Sequence, residues 1–183
     1  LAKRHAKVLS SQLVYSGPVF GVRRERVVEP GGVKATRDIV THFGSIVLLP
    51  VLRDGRLLLV RQYRHAVRAF LWELVAGRIE PGESPLAAAR RELVEETGYT
   101  ARRFRKLLEI VPTPGFVSER MHIYLAEGLA PGAARPEADE RIATRRLSLG
   151  QLEAMIRRGT LRDAKSIAGI LYYARFCRKP ARR

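Results

Sequence analysis

Cysteine is almost absent from this chain: Cys177 is its single copy. One thiol excludes an intrachain disulfide and a thiolate metal cluster, and it fits a reducing compartment. Acid is scarce too, with 18 Asp and Glu against 34 Lys and Arg, a formal net charge of +16. That imbalance points to anionic partners. Nucleic acid is the less expected of these, because the arginines are scattered rather than interleaved with aromatics and no RNA-binding motif is present. Long apolar runs are also missing. The longest, Ile46 to Leu52, is too short to span a bilayer and is broken by Pro50, so no membrane partner is expected. Residues 1–11 are basic and lack the apolar core of a secretion signal, which makes the cytoplasm the expected location. No internal repeat, low-complexity tract or heptad pattern occurs. What remains is a chain of 183 residues, 46% apolar and 28% charged, enough for one ordinary core and a small extra lobe.

Against the basic background, one stretch gathers acid. Gly77 to Tyr99, GRIEPGESPLAAARRELVEETGY, carries Glu80, Glu83, Glu92, Glu95 and Glu96. Pro81-Gly82 signals a turn, Ser84 suits an N-cap, and Pro85 suits the first helical position. The run that follows is rich in helix formers, and Gly98 is placed to end it. Glu92, Glu95 and Glu96 then lie near one helix face, where like charges repel unless a cation compensates them. A hard divalent cation with oxygen ligands meets that need. Arg91, four before Glu95, is placed to hold a carboxylate. Leu86, Ala89 and Leu93 form the stripe that packs inward. A solvated acidic face is the plain alternative, and the agreement of turn, cap, arginine and glycine favours metal binding.

Around this helix the chain reads as strands. Gln12–Tyr15, Val19–Val28 and Val33–Thr41, separated by Gly17-Pro18 and Pro30-Gly31-Gly32, suggest a small antiparallel sheet. Ile46–Leu52 and Leu57–Tyr63 are apolar strands joined by the hairpin signal Arg53-Asp54-Gly55-Arg56. Leu107–Val111 and Met121–Ala126 flank a loop from Pro112 to Glu119, and Ile142–Leu147 is a last strand. Ser148 with Gln151 opens a helix as a capping box, and Asp163 caps a final helix through Phe176. The pattern suits an α/β (α+β) domain with helices on both sides of a mixed sheet, preceded by a small β lobe.

Gly77, Glu83 and the run Arg91-Glu92-Leu93-Val94-Glu95-Glu96-Thr97-Gly98-Tyr99 together resemble the Nudix box of the Nudix hydrolases. Every fixed position matches; Tyr99 stands where an aliphatic residue is usual. The segments Leu71-Trp72-Glu73-Leu74-Val75-Ala76-Gly77, Gln62-Tyr63-Arg64, Pro114-Gly115-Phe116 and Arg37-Asp38-Ile39-Val40-Thr41-His42 resemble the ADP-ribose pyrophosphatase branch. This resemblance implies an αβα sandwich over residues 44–177, an N-terminal β lobe over 1–43 that serves a homodimer and the substrate, and a basic tail over 178–183. It implies Mg²⁺, or Mn²⁺ in its place, on Glu92, Glu96 and the Ala76 carbonyl, with Glu95, Arg91 and Glu83 beside them. Glu140 is the implied general base, with Glu137 and Asp139 as alternatives. Arg37, Arg64 and Glu73 are the implied substrate contacts. The expected reaction converts ADP-ribose and water to AMP and ribose 5-phosphate. GDP-mannose, a dinucleoside polyphosphate or a capped RNA are alternative substrates, and a non-catalytic nucleic-acid-binding module is the alternative of another class.

Overall fold

The computed structural model describes residues 5–134 and 141–177. The chain divides into two compact units, residues 1–44 with 111–120, and residues 45–110 with 121–183.

The first unit is a three-stranded antiparallel sheet in the order β1-β2-β3, with β1 at Lys7–Ser16, β2 at Gly21–Val28 and β3 at Lys34–Thr41. The Glu29-Pro30-Gly31-Gly32 turn joins β2 to β3, with Gly31 and Gly32 at φ of 89° and 86°, a region that glycine enters without penalty. β1 begins five residues earlier than the apolar pattern suggests, at Lys7 against Gln12. Its polar start hides the strand; cross-strand bonds from Ser11 to Glu25 and from Arg23 to Ser11, both 2.9 Å, show what holds it there. Residues 111–120 join this unit by laying Val117 beside Val40, with Val40 N–H donating to Phe116 O at 2.8 Å and Ser118 N–H to Val40 O at 2.9 Å.

The second unit is built on a mixed sheet of seven strands. Its main path runs β10-β5-β4-β9-β8, where β4 is Ser45–Val51, β5 Leu57–Arg64, β8 Tyr99–Ile110, β9 Met121–Pro131 and β10 Ala143–Leu147. β6 (Ala69–Glu73) pairs with β5, and β7 (Val75–Arg78) with β4. Among the described residues of this sheet, only β4 and β9 run parallel; the other pairings are antiparallel.

Strand parity explains the layers. Successive side chains of a strand face opposite sides. Val47 and Leu49 of β4, with Ile123 and Leu125 of β9, pack into one cluster with Leu149, Leu152, Met155, Leu161 and Ile170. Ile46 and Leu48, with Tyr124 and Ala126, pack into a second cluster with Ala88, Ala89 and Leu93. Helix α1 (Pro85–Thr97) therefore covers one face, and α2 (Leu149–Arg157) and α3 (Ala164–Tyr172) the other. This is the expected αβα sandwich.

Elements of the second unit depart from the sequence reading as well. β8 starts at Tyr99, not at Leu107, because Ala101 and Phe104 face the α1 side while the arginines between them face water. The arginines hide the period. The last helix narrows its regular part to Ala164–Tyr172 and continues to Cys177 as a wider π-type turn.

Candidate active site on helix α1

Helix α1 forms where its local chemistry demands it. Ser84 accepts from Ala87 N–H at 3.2 Å, Pro85 opens the first turn, and Gly98 closes the last at φ 72° with its N–H on Val94 O. Leu93 and Ala89 are fully buried and Leu86 packs beside them, so the helix cannot rotate about its axis without exposing apolar surface. Its other side therefore presents the carboxylates at a fixed place beside β7.

There Arg91 is the hub. Its Nε and Nη2 donate to the two oxygens of Glu83 at 3.1 and 3.0 Å, and Nη1 donates to Glu92 at 2.7 Å and Glu95 at 2.9 Å. Nη2 also donates to the backbone carbonyl of Arg78 at 3.0 Å, which ties the helix to the end of β7. The Glu83 hydrogen bonds are the largest cause of a strongly raised Arg91 pKa, with Glu92 and Glu95 adding to it against partial burial. Reciprocally, Arg91 holds the Glu83 carboxyl below the ordinary carboxylate range. Both groups are ionised at neutral pH.

Glu92 and Glu96 are 9% and 4% exposed, which is rare for glutamate. The Glu92 carboxylate lies against the backbone of Gly77; a Cβ at that glycine would stand 1.9 Å from it. Gly77 follows Ala76, whose strand pairs with Val47 of β4. The structure thus brings Ala76, Glu83, Arg91, Glu92, Glu95 and Glu96 to one side of the second unit.

Residues 42–169 match the NUDIX domain family, well over half of the chain. The chain belongs to the Nudix family. This Nudix chain is 35% identical to an ADP-ribose pyrophosphatase of Mycobacterium tuberculosis (strain ATCC 25618 / H37Rv) over 175 residues, 93% of this chain and 84% of the relative. It is 33% identical to an ADP-ribose pyrophosphatase of Bacillus subtilis (strain 168), over 91% of each. The solved structure of an ADP compounds hydrolase superposes at a TM-score of 0.81 and 22% identity, covering 95% of both chains, a likeness of fold.

Nudix hydrolases in general require a divalent metal ion, and the residues here suit one. Carboxylate and carbonyl oxygens are the donors hard cations prefer. The glycine cradle lets a buried carboxylate sit against the strand that carries the Ala76 carbonyl. Among the described residues no three acidic, imidazole or thiolate groups are already drawn together around a metal position. Arg91 explains part of this, since it draws Glu83, Glu92 and Glu95 to itself.

Arg64 and Glu73 come together in this unit. Arg64 forks onto both Glu73 oxygens at 2.8 and 2.9 Å, and Glu73, 1% exposed, also ion-pairs with Lys165. Burial pushes the Glu73 carboxyl up, yet the Arg64 bonds and the Lys165 charge outweigh it, and the net shift is downward. Arg64 is raised by the Glu73 bonds against burial, and the Glu96 charge adds to the effect. Arg37 stands on β3 in the first unit, donating to Glu29 at 2.8 Å through Nη2. Glu137, Asp139 and Glu140 lie outside the described residues. Reading along the chain missed Lys165 and the Arg78 carbonyl. Lys165 is 92 residues from Glu73, and nothing local to it announces the pairing.

Proposed function

We propose that this Nudix protein hydrolyses the diphosphate of ADP-ribose to give AMP and ribose 5-phosphate. One observation carries the reading: Arg91 fastens Glu83, Glu92 and Glu95 beside the Gly77 cradle. The two ADP-ribose pyrophosphatases, similar over 93% and 91% of this chain, supply the substrate. Glu92, Glu96 and the Ala76 carbonyl would hold the metal, with Mg²⁺ proposed and Mn²⁺ as its substitute. When bound, the cation neutralises phosphate oxygens and makes an attacking water more acidic. Arg91 keeps Glu92 and Glu95 in place while the substrate's negative charge arrives. Arg64, and Arg37 from the first unit, suit phosphate oxygens because the guanidinium fork matches them. Glu73 acts through Arg64: its burial and its two cationic partners favour that role over direct contact with ribose or adenine. Glu140 takes the water's proton, with Glu137 and Asp139 as the alternatives.

A homodimer in the cytoplasm completes the proposal. All ten positions of β1 are exposed, including Val8, Leu9, Leu13, Val14 and Tyr15, and a second copy of the chain would cover them.

Glu92→Gln and Glu96→Gln are each expected to lower kcat/KM for ADP-ribose with Mg²⁺ by roughly a hundredfold or more, with circular dichroism unchanged. Undiminished activity in both would sink the metal assignment. A wild-type preference for GDP-mannose in the same assay would replace the substrate.

A further inference from the structure

Behind Arg64 lies an ion network that reaches α3. Arg64 on β5 donates from Nε and Nη2 to the two oxygens of Glu73 at the end of β6. Glu73 Oε2 pairs with Lys165 Nζ from the first turn of α3, and Lys165 Nζ donates to Asp163 Oδ1 at 2.9 Å. The other Asp163 oxygen accepts from the Ser166 N–H at 3.0 Å and from its hydroxyl. That hydroxyl in turn accepts from Leu74 N–H at 2.7 Å, next to Glu73. The Glu73 and Lys165 side chains are 1% and 13% exposed, so solvent and salt screen this pair little.

Two consequences follow from guanidinium geometry and charge. With the Nε–Nη2 edge of Arg64 turned onto Glu73, Nη1 projects from the opposite edge, and among the described residues it has no acceptor. The side chain is 39% exposed, within reach of a ligand from solvent, and besides Glu73 it feels the charges of Glu96 and Asp163. An isolated Arg–Glu pair is electrically neutral and attracts an anion weakly. The second cation on the same carboxylate also balances Asp163, so that Arg64, Glu73, Lys165 and Asp163 sum to zero, where without Lys165 they would sum to −1 and repel an anion.

We infer that Lys165 is a positioning residue: by sharing Glu73 from α3 and offsetting Asp163, it fixes Arg64 with its outer edge available to a substrate diphosphate. The inference rests on the diphosphate reading of this site.

Calorimetry with inorganic pyrophosphate, on the full chain in EDTA, tests this without turnover. Lys165→Met is expected to weaken binding about tenfold, the scale of a charge-assisted hydrogen bond, and Lys165→Arg to stay within about threefold of wild type. In an Arg64→Met background, Lys165→Met is expected to have no further effect, since the two act as one unit. With Mg²⁺ and ADP-ribose, Lys165→Met is expected to raise KM about tenfold and to leave kcat within about threefold. A lysine that merely staples α3 would lower Tm and the active fraction while pyrophosphate affinity and KM stay put; that result overturns the proposal. So would full additivity in the double variant, or a wild-type chain that binds no pyrophosphate. If Lys165→Met does not fold, Lys165→Gln carries the same expectations. A wild type that binds pyrophosphate with this pattern but leaves ADP-ribose intact would overturn the substrate and keep the role of Lys165.

Discussion

Gly77 shows how one missing methyl group can set a site. A Cβ there would overlap the Glu92 carboxylate at 1.9 Å from Cδ and Oε1, a distance no real pair of atoms tolerates. The clash falls on the far end of a flexible side chain, not on backbone, so the fold can yield by moving Glu92 alone. Gly77→Ala is therefore expected to leave Tm within a few degrees of wild type. It should lower kcat/KM for ADP-ribose roughly a hundredfold, as removal of the same carboxylate would. Differential scanning calorimetry beside steady-state kinetics checks both halves. A variant with ordinary activity would show that Glu92 need not sit where the structure puts it. Arg91 acts at the same scale, since one guanidinium offsets the mutual repulsion of three carboxylates.

Helix α1 is the element on which those residues depend, and its two ends are held differently. Ser84 caps the start with a side-chain bond. The end turns sharply into β8: Thr97 donates to Leu93 O, Tyr99 N–H donates to Thr97 Oγ1 at 3.1 Å, and Gly98 sits in the left-handed region. A Cβ on Gly98 would also meet backbone, at 2.5 Å from Ala134 N and 2.7 Å from Gly132 O. Backbone at both points cannot step aside as a side chain can. Gly98→Ala is expected to destabilise the second unit by about 2 kcal/mol or more, combining the left-handed penalty with the clash. Urea denaturation followed by circular dichroism measures it, and a loss below about 0.5 kcal/mol would contradict the close approach.

For the whole molecule the excess of basic residues is the dominant fact. Much of the acid that exists is already claimed by arginine: Asp38 by Arg24, Glu29 by Arg37, Asp54 by Arg56 and Glu127 by Arg103. Exposed pairs of this kind add little stability, and they leave a strongly positive surface suited to attracting nucleotides. The proposed dimer belongs to this scale as well. Leu13 is 55% exposed and pairs across β1–β2 with Arg23, which would accommodate a carboxylate. Leu13→Asp is thus expected to spare the protomer's fold and to weaken dimerisation at least about tenfold, because it places charge in an apolar contact. Sedimentation equilibrium decides it; a wild type that is monomeric at micromolar concentration would end the dimer proposal.

The ends of α1, the apolar stripe that orients it and the register of its acids were legible along the chain, because caps, turns and helical period are set by residues a few positions apart. The buried central strands were legible for a similar reason, as uninterrupted apolar runs. β8 was half hidden, since arginines on its wet face break the pattern that Ala101 and Phe104 continue. The attachment of residues 111–120 to β3 had no local sign, because backbone hydrogen bonds between distant segments do not depend on which side chains they carry. Lys165 is the clearest case of what only the tertiary structure decided. In sequence it is one lysine among 34 basic residues; folding places it on a buried carboxylate 92 residues away, where low exposure turns an ordinary charge into a specific one.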